Sequence, residues 1–276
     1  QVYNNTQENQ LAIDAVDATK GQCIGFNGNV TTAYFFSTSC GYTANPWEVW
    51  DKNGLFYDDG SSPITSTCQV ENKNYGTMEN DENIRAFLKN NDIKCPDSNS
   101  QWFRWNTEIN IQNLEKIINS NLKNIPSDIM VKNENGNFVL KSIDNIGNIN
   151  DIWVTERGQG GNAMELNIKG SLAEIKVISE YAIRSLFKPI DENSAYVMNL
   201  NDGKTVKNYG ILPSGFFVLE RMTMDGNLQA IKIFGGGNGH GVGMSQWGAY
   251  NMTLNGSSYE QVLNHYYNNP QIISLY

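Results

Sequence analysis

The run Ala230-Ile231-Lys232-Ile233-Phe234-Gly235-Gly236-Gly237-Asn238-Gly239-His240-Gly241-Val242-Gly243-Met244-Ser245-Gln246-Trp247-Gly248-Ala249 organises the chain. Its opening residues are β-branched and aromatic, and read as a strand. A glycine run follows. Glycine is costly in chain entropy and is used where φ must be positive or where something approaches the backbone closely. The run holds His240, one of 2 histidines in the protein. A titratable side chain in such a loop points to a site.

Working upstream, Phe216 to Met222 and Leu228 to Phe234 bracket Asp225-Gly226, a strong short hairpin signal. The same kind of signal recurs at Asn27-Gly28, between Cys23–Phe26 and Val30–Phe36, and at Asn135-Gly136, between Ile129–Val131 and Phe138–Leu140. Asp151–Glu156 and Ala163–Ile168 bracket Gly158-Gln159-Gly160-Gly161. Trp102–Trp105 with Thr107–Ile109 reads as a further strand. Apolar residues at helical spacing mark short helices over Gln10–Thr19, Glu82–Lys89, Gln112–Leu122 and Ser179–Phe187. A terminal helix spans Ser257–Tyr267, with Ser257 and Glu260 at capping-box spacing and Asn268-Asn269-Pro270 as its stop. Residues 51–80 read as irregular. The expected fold is α+β, mostly antiparallel β hairpins with short helices. No linker or repeat divides the chain, so residues 1–276 read as one domain.

With 39% hydrophobic residues the chain can fill a core, and its net charge of −9 with no dense Lys/Arg run speaks against nucleic acid as a partner. No apolar stretch is long enough to span a membrane, and no signal peptide is visible. The opening Gln1-Val2-Tyr3-Asn4-Asn5, without methionine, reads as a processed or truncated product. Cys23, Cys40, Cys68 and Cys95 form no CxxC pair, which argues against a zinc ribbon. Free thiols are expected, with a Cys68–Cys95 disulfide as the alternative.

Three segments carry candidate chemistry. Ser37-Thr38-Ser39-Cys40-Gly41-Tyr42-Thr43 reads either as a polar binding loop or as a Ser/Thr turn without a ligand. In Asn45-Pro46-Trp47-Glu48-Val49-Trp50, two tryptophans flank a carboxylate. Either they stack on sugar rings and raise the Glu48 pKa toward acid catalysis, or they pack in the core beside a solvated Glu48. The glycine run fits neither a P-loop nor GxGxxG, and Ser245 lies in no GxSxG elbow. Three metal ligands at recognisable spacing are absent, so no cofactor is expected from this chain. Two readings of His240 remain: a groove wall with Ser245 and Gln246, or a residue that caps the following helix or bonds a buried carbonyl.

The segment from Gly239 to Ala249 resembles the signature of the SpoIID/LytB family, the stage II sporulation protein D and amidase-enhancer proteins of bacterial cell walls. Gln1-Val2-Tyr3, Phe35 to Thr43, Val49-Trp50, Val154-Thr155-Glu156-Arg157, Leu212-Pro213-Ser214 and the Tyr259–Tyr267 helix also fit. The segment from about 60 to 200, an insertion of helix and strand, resembles clostridial members. The resemblance implies an extracytoplasmic cell-envelope protein, compatible with a membrane anchor upstream, that acts on peptidoglycan glycan strands. Sporulation members are lytic transglycosylases that cleave between N-acetylmuramic acid and N-acetylglucosamine with a single carboxylic acid. The leading expectation is thus the glycan-binding portion of a lytic transglycosylase; the alternative is a non-catalytic regulator, because amidase-enhancer members stimulate a separate cell-wall amidase. The family's catalytic glutamate and a zinc-holding Cys/His pair lie upstream of the Gln-Val-Tyr segment, so neither maps onto a residue here. The implied substrate-binding residues are Ser37, Thr38, Ser39, Tyr42, Thr43, Trp50, His240, Ser245 and Gln246.

Overall fold

The computed structural model describes residues 7–50, 63–71, 73, 75–125, 128–207 and 209–276. It has the expected α+β architecture, built on antiparallel sheets and short helices. The Gln1-Val2-Tyr3 segment lies outside the described residues.

Two five-stranded antiparallel sheets carry the fold. In the first, Trp105–Asn110 is central, between Asn227–Gly235 and Val197–Leu200, with Phe217–Met224 and Thr205–Lys207 at the edges. In the second, Glu174–Ile178 is central, with Ala163–Gly170 and Ile149–Arg157 on one side and Ile129–Lys132 and Phe138–Leu140 on the other. The helices Ile111–Asn121 and Glu180–Leu186 share one core with both sheets. Leu114, Ile117 and Ile118 of the longer helix belong to the same core as Ile109 and Ile233 of the first sheet and Leu166 and Ile168 of the second. Each such side chain contributes roughly 1.5–3 kcal/mol on burial. A second core of Tyr42, Val49, Phe87, Phe103, Phe216 and Val242 lies beneath the two polar loops.

Local signals that need no distant partner hold. Asn27-Gly28 (φ 51° and 79°) and Asp225-Gly226 (φ 51° and 78°) have positive φ at both central positions, the turn whose twist matches a hairpin. The predicted helices form at Gln10–Ala18, Asp81–Leu88, Ile111–Asn121 and Glu180–Leu186. No helix among the described residues is long and apolar enough to cross a membrane.

The structure corrects four local expectations. Val30–Phe36 is not one strand: Asn29–Val30 closes the first hairpin, while Phe35–Phe36 pairs in parallel with Met244–Ser245 at the end of the glycine run. Trp102–Arg104 is a turn, and the strand begins at Trp105, whose indole N–H donates to Gly237 O at 3.0 Å. The last helix is Tyr259–Tyr266, capped by Ser258 with Gln261 reciprocating. Starting one residue later than predicted, it still turns Val262 and Tyr266 into the core. Finally, Gln271–Ser274 forms an unpredicted strand against Gln22–Phe26. All four thiols are free, with Cys40 and Cys95 buried.

Candidate functional site

The Ser37–Thr43 loop and the glycine run lie side by side. Thr38 N–H donates to Asn238 O (3.0 Å) and Asn238 N–H returns a bond to Thr38 O (2.8 Å). Ala44 N–H reaches Gly241 O at 2.8 Å, and Trp247 N–H reaches Ser37 O at 3.0 Å. Glycine is required at the closest approaches. Gly243 has φ 78°, and a Cβ there would lie 2.1 Å from Tyr34 O. At Gly241 (φ 80°) a Cβ would lie 2.4 Å from the Phe216 ring.

This contact buries most of the hydroxyls singled out in the sequence. Thr38, Ser39, Tyr42, Thr43 and Ser245 are all at most 3% exposed. Ser39 Oγ accepts from Gly41 N–H and donates to Tyr42 O, both at 3.0 Å, closing a hydroxyl turn. Tyr42 OH donates to Gly76 O at 2.8 Å, and Thr43 Oγ1 accepts from Thr67 N–H at 2.9 Å. Ser245 is the N-cap of the helix Gln246–Leu254, accepting from Gly248 N–H. The helix-capping role considered for His240 therefore belongs to Ser245.

Four of the predicted residues reach the surface: Ser37, Trp50 and Gln246 are exposed, and His240 is half-buried. The Trp50 ring lies 4.9 Å from His240 and 4.5 Å from Tyr34, centroid to centroid, and Phe36 flanks the imidazole at 5.8 Å. His240 Nδ1 accepts from Val242 N–H at 3.1 Å. Burial, and then the nearby Arg184 charge, push its pKa down to about 4. The imidazole is accordingly neutral at physiological pH, an aromatic and hydrogen-bonding group rather than a cation.

Buried charged residues brace the loops and their surroundings: the sequence reading passed over Asp97, Arg184 and Glu180, and singled out Glu48. Asp97, fully buried, accepts from Ser39 N–H at 3.0 Å and from the Ser245 hydroxyl, tying both loops to one carboxylate. Arg184 donates to Leu212 O (2.8 Å) and Pro213 O (2.9 Å) and pairs with Glu180 at 3.1 Å. Pro213 O in turn accepts from Gly239 N–H, so the Leu212-Pro213-Ser214 segment connects this ion pair to the glycine run. Glu48 is buried rather than solvated. It accepts from Asn45 N–H at 3.1 Å, Asn45 Nδ2 at 2.7 Å and Gln159 N–H at 2.9 Å. Burial raises its pKa against those bonds. The signal was present: Asn45-Pro46-Trp47-Glu48 has an N-cap, a proline at the first helical position and an acid at the third. No sequence pattern distinguishes Asp97 or Arg184, because their importance comes from burial.

Among the described residues no group of three His, Cys, Asp or Glu side chains is placed to hold a metal ion.

Fold and site together define an α+β protein that presents a ring cluster and two fused polar loops on one surface. The chain belongs to the family described as domain of unknown function DUF8618, whose model matches residues 46–211. Both loops lie outside that stretch, while Trp50 lies within it. The chain is 26% identical over 267 residues to a Bacillus subtilis protein named amidase enhancer, covering 97% of this chain and 33% of that protein. It is 36% identical over 84 residues to an uncharacterized protein of Brachyspira hyodysenteriae, covering 30% of this chain and 21% of that one. The chain therefore spans about a third of the length of the first relative and about a fifth of the second.

Proposed function

We propose that this chain is the glycan-binding part of an extracytoplasmic cell-wall protein that promotes the action of a peptidoglycan amidase. The observation that carries the reading is the fusion of the two SpoIID/LytB-like loops beside the Tyr34–Trp50–His240 ring cluster. Flat ring faces suit the apolar faces of sugars, and Ser37 and Gln246 offer hydrogen bonds alongside. In this reading the buried Thr38, Ser39, Tyr42, Thr43 and Ser245 shape the surface rather than touch the strand. The match to a protein named amidase enhancer along nearly the whole chain supports the regulatory part. We read residues 1–276 as one SpoIID-like domain with 60–200 as an insertion.

Lytic transglycosylase-type cleavage between N-acetylmuramic acid and N-acetylglucosamine is the second reading, favoured by the resemblance to sporulation members. It requires an acid at the surface. Glu48, Asp97 and Glu180 are buried and each is engaged in hydrogen bonds, so none of these three is placed to supply it.

Titration with chito-oligosaccharides, followed by NMR, tests the binding surface: shifts are expected at Tyr34, Trp50, His240 and Gln246. Shifts confined to other surfaces, or none, would remove the reading. Mixing the chain with a cell-wall amidase and purified peptidoglycan separates the two functions. Faster stem-peptide release marks an enhancer, whereas 1,6-anhydro glycan ends without added amidase mark a transglycosylase.

A further inference from the structure

A cavity of about 470 Å³ adjoins the base of the glycine run, with Lys89, Arg104, Trp105, Asn106, Asn201 and Phe234 among its walls. It shares no residue with the surface of Tyr34, Ser37, Trp50, His240 and Gln246. In a protein of net charge −9, its lining contains two cations and no carboxylate.

Arg104 is the unusual member. It is 6% exposed, and its guanidinium donates to main-chain oxygens of Cys40 (2.8 Å), Phe103 (2.9 Å) and Phe87 (3.3 Å). Its Nε has no partner among the described residues. Carbonyl dipoles satisfy donors but do not cancel a charge, and a buried cation without a counter-ion is costly. The Phe103 and Phe87 rings, 4.0 and 5.2 Å from the guanidinium, offset only part of that cost. Lys89 adds a second positive charge, lying 4.4 Å over the Phe234 ring while pairing with Glu220. The remaining wall is mixed: Leu88, Leu200, Phe234 and the buried Trp105 are apolar, and Asn91, Asn106 and Asn201 are amides.

We propose that this cavity binds a small ligand bearing one carboxylate on an apolar body, such as the free carboxyl end of a short peptide, with the uncompensated Arg104 charge attracting it and Lys89, shared with Glu220, at the edge. The cavity is large enough for a few residues' worth of atoms, and the apolar part of its wall suits an apolar stem. Attraction to the uncompensated Arg104 charge, across a cavity whose lining holds no carboxylate, supplies the selectivity.

The test uses N-acetylalanine against N-acetylalaninamide, which differ in the carboxylate alone, titrated into the full chain with backbone-amide NMR as readout. The acid is expected to saturate with shifts at Trp105, Asn106 and Phe234, and the amide to bind at least about tenfold more weakly. Asn106→Asp places a like charge at the exposed rim. It keeps the acceptor that Asn199 Nδ2 contacts at 3.0 Å, so the variant retains the fold and is expected to weaken the acid by about tenfold. Equal binding of acid and amide, shifts only elsewhere, no shift at all, or unchanged binding by Asn106→Asp would each overturn the proposal.

Discussion

Replacing Asp97 by asparagine should flatten the pH dependence of stability. Burial lifts the Asp97 pKa from 3.8 to about 7, against the hydrogen bonds from Ser245 and Ser39. The folded protein therefore holds this proton more tightly than the unfolded chain. The stabilisation is fully present below about pH 4, declines as pH rises, and is lost above about pH 7. At about 1.4 kcal/mol per pH unit, the total is about 4 kcal/mol. His240 acts with the opposite sign. Its pKa is depressed from 6.5 to about 4, so its contribution is present above about pH 6.5 and lost as pH falls toward about 4. The two effects oppose each other in the parent protein, and comparison with Asp97→Asn separates them. Asparagine keeps an oxygen for Ser39 N–H and the Ser245 hydroxyl. Its amide replaces Oδ2, which like the Tyr266 hydroxyl has no partner among the described residues; both atoms lie close to Gly248. Urea unfolding of parent and variant between about pH 5 and about pH 8 is the assay. The parent should lose about 2–3 kcal/mol relative to the variant across that range. Parallel profiles, differing by a constant within about 0.5 kcal/mol, would refute the argument that a buried, proton-holding carboxylate joins the loops.

Two glycines with φ of 78° separate backbone strain from collision. Gly226→Ala faces open space and should cost about 1–2 kcal/mol, whereas Gly243→Ala drives its Cβ at Tyr34 O and should cost more than about 3 kcal/mol; equal shifts in thermal unfolding would contradict this. Arg184→Met leaves Glu180 buried without its partner and should cost about 3–5 kcal/mol by denaturant unfolding. A loss below about 1 kcal/mol would mean that the pair does not brace the Leu212–Ser214 segment. Trp50→Ala should weaken chito-oligosaccharide binding by about tenfold in calorimetry while changing stability by less than about 1 kcal/mol. Unchanged affinity would count against the ring cluster as a sugar platform. Glu48→Gln should lower stability by about 1 kcal/mol through the weakened cap, without altering any glycan cleavage measured on purified strands.

What the chain discloses before folding is what short-range chemistry controls. Asn27-Gly28 and Asp225-Gly226 readily adopt the positive φ that a tight hairpin turn needs, so their hairpins were legible. The helical stripe of Leu114, Ile117 and Ile118 was legible for the same reason: period and propensity are local. Errors cluster where distant partners compete. Phe35 and Phe36 continue a plausible strand, yet Met244 and Ser245, more than 200 positions away, capture them. The terminal helix shifted by one residue because two serines compete for the same cap.

The candidate site divides along the same line. Sequence alone marked the two loops, because glycine runs and hydroxyl clusters are rare and their chemistry is visible in the letters. It also placed Trp50 and His240 among the residues of interest. Only the tertiary structure decided which of those residues face solvent. Packing the loops together turned Thr38, Ser39, Tyr42, Thr43 and Ser245 inward, since hydroxyls at a close backbone approach satisfy buried amides and carbonyls. It left Ser37, Trp50, Gln246 and part of His240 outside. It also created the roles of Asp97, Arg184 and Arg104. A charged side chain acquires such a role from the low dielectric around it, and that environment is assembled from segments far apart in the chain.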